Sequence, residues 1–259
     1  MLNTISLKSV LICGAAALTI AGQAYAYEPA RSAECIAPAN PGGGWDFTCR
    51  SVGKVLVDEG YFKGNVQTVN MSGAGGGVAF AHTISKRDTD DNLIVAASTA
   101  TTTRLAQGQF PGMNSDQVKW VGTLGADYGI IAVGKDSKYT SLNQILDALK
   151  KDPGAVKFAG GSASGGWDHL KVLISEVKGF MESGDLRVLA VLSEERLPAP
   201  FDSIPTAMEQ GIDSVAPNWR GFYVPGNASA ESYDWWVDTM NELYTTQEWK
   251  DIMTKNGLM

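Results

Sequence analysis

Four times the chain passes from a short apolar run, through a cluster rich in Gly, Ser or Thr, into a helical pattern. The runs at 33–37, 66–69, 93–97 and 156–159 lead into clusters at 42–46, 72–77, 98–103 and 162–169. Strand, polar loop and helix in that order predict parallel α/β units. In such sheets ligands collect at the carboxyl ends of the strands, where helices begin. A helix start carries unpaired N–H groups and a partial positive charge, so it attracts anions. One such loop is ordinarily a tight turn. Four of them, offering backbone donors and hydroxyls without fixed charge, predict a neutral hydrogen-bonding cage for a small oxyanion.

The rest of the chain continues the pattern. Strands are expected at 129–133, 186–192 and 221–224, and a helix at 141–150 with Leu142, Ile145, Leu146 and Leu149 on one face. The segment 204–211 reads as a capped helix stopped by Gly211, and 232–256 as one long helical region ending at Gly257. Leu170, Leu173, Ile174, Val177, Phe180 and Met181 form an apolar stripe of helical spacing, which predicts one helix over 167–183.

The first 26 residues read as a cleavable leader: Lys8, an apolar run over 10–22, then Ala24-Tyr25-Ala26. The apolar run is shorter than the roughly 20 residues a membrane helix needs. Cleavage after Ala26 would export a soluble, periplasmic chain. Removing Lys8 leaves 20 basic against 28 acidic residues, a net charge of −8. That balance argues against a nucleic-acid partner, because phosphate binding needs a basic face. Cys35 and Cys49, 14 positions apart, fit one disulfide in an oxidising compartment; the alternative is two separate buried thiols.

Enzyme motifs are largely missing. The stretch SGAGGGV fails G-x-G-x-x-G because Val78 stands at the last glycine position, there is no P-loop, and GGSASGG fails G-x-S-x-G in every register. With only His82 and His169, and no H-E-x-x-H, neither a metal nor a cofactor is expected. Asp168 and His169 are adjacent and would point apart on a helix, which disfavours a triad with Ser164. The expectation is a protein with no catalytic residues. Asp46 reads as a helix cap more readily than a ligand contact, and Trp45 as a core aromatic or a cleft wall.

The ordered set APANPGGGWD, NMSGAGGGVAFAH, ASTATTTRL, GGSASGGWDHLKVL, LRVLAVLSEERL and DSIPTAMEQGID resembles the substrate-binding receptors of tripartite tricarboxylate transporters, over most of the chain beyond the leader. The "WD" after the glycines and "GGWDH" are similar to the tricarboxylate, citrate-type branch. The resemblance implies a periplasmic binding protein type II-like α/β fold: two lobes joined by two crossover segments. Residues 27–130 and 225–259 would form the first lobe and 131–224 the second, with hinges near 129–133 and 219–224. It further implies a monomer that binds a small carboxylate and presents it to membrane permease subunits. Transferred by position, the first-lobe ligand residues are Gly43, Gly44, Trp45, Asp46, Ala74, Gly75, Gly76, Ser98 and Thr99; the second-lobe residues are Ser162, Ser164, Gly165 and Gly166. Two departures stand out. A further strand, glycine loop and helix usual in the family between DHLKVLI and SEVKGF are missing here, so the second lobe is expected to be reduced and closed by the fused helix. The family's sequence also continues beyond NGLM. Other readings are a ligand sensor for a membrane signalling partner, a deleted relic without ligand, and an exported hydrolase.

Overall fold

The computed structural model describes residue 27, residues 32–160 and residues 172–259. The leader and the 162–166 ligand loop lie outside the described residues. Two strand–loop–helix units form as the pattern predicts, β1 (Ser32–Ala37) with α1 (Gly44–Asp58) and β2 (Asn65–Asn70) with α2 (Gly77–Lys86). In the third, β3 (Leu93–Ser98) runs directly into α3 (Thr99–Ala106), because Ser98 caps the helix and the expected 98–103 loop becomes its first turns. β1 pairs in parallel with both β2 and β3, so the three helix entries lie at one end of the sheet. β3 is buried along its whole length, as an unbroken apolar run requires of a central strand.

The remaining strands are antiparallel and depart from an all-parallel sheet. They are β4 (Val118–Gly134), β5 (Val172–Leu173), β6 (Leu186–Val191) and β7 (Pro217–Pro225). β7 lies between β3 and β4, giving the order β2-β1-β3-β7-β4-β5, with β6 also paired to β4. β4 is far longer than the expected 129–133. Its first part pairs with β7 and its last part with β6. Register shifts at 120–122 and 123–126, with Gly122 and Gly125 at φ +150° and +128°, break the alternation that would have marked it as a strand.

Side-chain alternation builds a core on each face of the sheet. Ala33, Cys35, Ala37, Ile94, Ala96, Phe222 and Val224 pack against α1 and two C-terminal helices, α6 (Ala230–Thr245) and α7 (Gln247–Asn256). Ile36, Leu93, Val95, Ala97 and Tyr223 face Phe80 of α2 and Phe110. Cys35 and Cys49 are bonded, with Cα atoms 5.7 Å apart, tying β1 to α1 across the first glycine loop. Closing a loop of that size contributes about 3 kcal/mol in the chain-entropy view. Around β6 two smaller cores form: Val191 with Ile130, Ile174, Val177 and Phe201, and Ala190 and Leu192 with Leu142 of α4 (Leu142–Lys151) and Ala207.

Four expectations are corrected. The apolar stripe is not one helix: Val172 and Leu173 pair antiparallel with Ile130 and Gly129, and α5 (Ile174–Glu182) starts only after them. The open edge of β4 offers backbone partners there, and the Glu176 carboxylate accepts from the Leu173 N–H at 3.3 Å, marking the helix start. Residues 156–159 form no strand; they lie beside 130–133 across a cavity without joining the ladder. The helix expected at 204–211 shrinks to a 3-10 turn, Met208–Gln210, because the Val191 N–H donates to Pro205 O and the Ala207 N–H to Val191 O, so these backbones pair as a sheet extension. The long C-terminal helix is two, α6 and α7, broken at Thr246 (ψ 150°), whose hydroxyl accepts from the Trp249 N–H at 3.2 Å.

Candidate functional site

The loops after β1, β2 and β3 open on one cavity of about 380 Å³ at the helix-entry end of the sheet. Gly43, Gly44 and Trp45 line it from the first loop, Ser72, Gly73 and Gly75 from the second, and Ser98 and Ala100 from the third. The far wall comes from Asn218 and Arg220 of β7 and from Leu173 and Glu176 at the start of α5. Arg104 of α3 completes it.

Each loop holds its shape by local chemistry. In the first, Asp46 sits in the opening turn of α1, 3% exposed, and does not line the cavity. Its carboxylate accepts from the Gly42 N–H at 2.9 Å, from Arg50 Nε at 3.0 Å and from Asn70 Nδ2 at 2.8 Å, and Asn70 Nδ2 also donates to Ala39 O. Asp46 therefore ties the loop to the end of β2 from behind. In the second loop Ala74, Gly75 and Gly76 all have positive φ (48°, 61° and 100°), forming a left-handed turn into α2; Ala74 and Gly76 are not in the wall. In the third, the Ser98 hydroxyl accepts from the Ala100 N–H at 3.2 Å and caps α3. Thr99 turns away to β7, where its hydroxyl donates to Pro217 O and accepts from the Trp219 N–H.

Burial alone pushes the Asp46 pKa up, but the hydrogen bonds from Arg50, the Gly42 amide and Asn70 outweigh it and hold the group below the usual carboxylate range. A pKa depressed by folding adds stability above the unfolded value of about 4, and that contribution disappears as pH falls through the lower folded value. Asp46→Asn is therefore expected to melt below wild type near neutral pH, with the gap closing as pH drops under about 4. A gap that stays constant across acid melts would show that the charge is not what holds the loop.

The cage is not neutral. Arg104 and Arg220, 7% and 2% exposed, are two buried cations in the wall. Arg104 Nη1 donates to Gln109 Oε1, while Nη2 is buried with no partner among the described residues. Arg220 Nη2 donates to Asp127 Oδ2 at 2.8 Å, an ion pair with both side chains almost fully buried. Arg220 Nε, Trp45 Nε1 and Asn218 Oδ1 also lack partners among the described residues. Unpaired buried polar atoms are costly and point to an absent hydrogen-bonding partner. Sequence reasoning passed over both arginines. A charged residue within the otherwise apolar stretch around Phe222 was the available signal for Arg220; Arg104 reads in sequence as an ordinary helix-surface residue. Among the described residues no His, Cys, Asp and Glu group could hold a metal ion, and no helix is long and apolar enough to cross a membrane.

No protein-family model and no curated protein matches the sequence. Solved structures do. A structure of an R. palustris protein with adipate superposes with a TM-score of 0.79 at 17% identity, covering 89% of this chain and 88% of that one. MatC from Rhodopseudomonas palustris, with bound malate, gives 0.74 at 16% identity over 89% and 90%. A TctC solute-binding protein from Polaromonas, without ligand, gives 0.57 at 22% identity over 89% and 90%. The chain thus has the type II-like α/β fold of periplasmic solute-binding proteins.

Proposed function

We propose that the protein is a periplasmic receptor for a small carboxylate, delivered to membrane permease subunits. The observation that carries this reading is the cavity where the entries of α1 and α3 and the 72–75 loop meet two buried arginines, each with a guanidinium nitrogen unpartnered among the described residues. Helix N-termini and guanidiniums both favour carboxylate oxygens, and charge-assisted bonds to Arg are short and strong. The folds bound to adipate and malate support the ligand class. In this reading residues 27–130 and 225–259 make one lobe and 131–224 the other, β4 and β7 are the crossovers, and ligand favours the closed arrangement. Asp127 stands directly behind Arg220 and the Glu176 carboxylate is in the wall, so dicarboxylates are expected to bind more tightly than citrate.

Thermal melts with adipate, malate and citrate test the reading. A ligand at 100 times its Kd adds about 2.7 kcal/mol, which in a chain of this size raises the melting temperature by about 5–10 °C. Arg104→Gln is expected to weaken binding at least about tenfold, the loss of one charged hydrogen bond. No shift with any carboxylate would end the receptor reading.

A further inference from the structure

Arg220 and Gly44 form a contact that the loop pattern alone does not explain. The Nη1–Nη2 end of the Arg220 guanidinium points at the first residue of α1: a Cβ added at Gly44 would collide with Nη1, Nη2 and Cζ. A second close approach occurs at the second loop, where a Cβ on Gly75, at φ +61°, would collide with Nε, Cζ and Cδ of Arg104. A cation against a helix N-terminus meets the positive end of the helix, an unfavourable placement on its own. Arg220 is held there by Asp127 on β4, whose Oδ2 also accepts from the Ser175 hydroxyl of α5 at 2.6 Å. Asp127 compensates one edge of the guanidinium and leaves Nε without a partner among the described residues. An anion in the cavity would resolve the conflict, since the helix entry and the guanidinium would then share one negative charge.

We infer that Arg220 is a direct anion contact of this cavity and that Gly44 is its positioning residue, keeping free the space in which the guanidinium faces the α1 entry. The inference rests on the receptor reading for its choice of ligand, and adds which side chain binds and what places it. Gly44 does not have a positive φ, so alanine is compatible with the backbone there, and its added methyl acts on the movable end of Arg220. Lysine at 220 keeps the charge but not the planar fork.

Calorimetric titrations of malate, adipate and inorganic sulfate into wild type, Gly44→Ala, Arg220→Lys and the double variant test this. The expected result is at least a tenfold affinity loss in each single variant, and less than a twofold further loss when Gly44→Ala is added to Arg220→Lys. Coupling of that kind is what a residue acting through its neighbour produces; additive losses would overturn the positioning role. If Gly44→Ala does not fold, Arg220→Lys alone decides, and unchanged affinity overturns the inference. Carboxylate binding that is indifferent to both changes leaves the receptor reading standing and removes this one. Arginine-dependent binding of sulfate with no response to any carboxylate does the reverse. Wild type that binds none of the three ions removes both.

Discussion

Asp127→Ala is expected to lower folding stability by about 3–5 kcal/mol, because it strands the Arg220 cation in the interior. Asp127 is 0% and Arg220 2% exposed, so solvent replaces the lost pairing poorly. Asp127 is also a junction: it accepts from Arg220 of β7 and from Ser175 of α5, while its own strand, β4, pairs with β7 on one stretch and β6 on another. The melting temperature should fall by about 6–20 °C at this chain length. The double variant Asp127→Leu/Arg220→Met should regain most of the loss, since apolar replacements of a buried pair are often neutral. A melt within about 2 °C of wild type for Asp127→Ala would mean that the pair is not buried as described.

Trp249→Ala should cost a similar amount, about 3–5 kcal/mol, the range for truncating a buried aromatic. Trp249 is 0% exposed in the core that also holds Trp236, Leu243 and Leu258, and its Nε1 donates to Leu124 O at 3.0 Å. That bond joins α7 to the bulged part of β4, next to Ala126, whose backbone exchanges two hydrogen bonds with Met259. The loss should therefore show first as faster proteolysis of the last helix, with ligand affinity changed far less. Trp249→Phe keeps most of the packing and forfeits the indole bond, about 1 kcal/mol. Equal melts for the alanine and phenylalanine variants would count against burial as the source of the effect.

Much of the first half was legible because it is local. In β1, β2 and β3 the apolar runs and the glycine or serine clusters follow one another directly; α1 and α2 follow their clusters, while α3 begins inside its own, at Thr99. The disulfide was legible from two cysteines 14 positions apart and the expectation of an exported chain. The misreadings share a physical cause. Val172 and Leu173 carry a helical stripe, yet they pair with Gly129 and Ile130, residues more than forty positions away. Residues 205–207 looked helical and instead extend the pairing of β6. β4 hides behind three register shifts, two against β7 and one against β6, that only these partners make intelligible.

The candidate site divides in the same way. The glycine loops predicted a cavity at the strand ends, because a strand followed by a glycine loop is written in consecutive residues. Its charge did not follow from them. Arg220 reaches the cavity from β7, which meets the loops only in the folded molecule, and Asp127 becomes its partner only across a strand pair. Arg104 follows the third cluster directly, but its burial in the cavity wall depends on the second loop folding against it. Propensity and periodicity are short-range and can be read along the chain. Edge pairing and burial of charge depend on which distant segments the fold brings together, and that selection belongs to the tertiary structure.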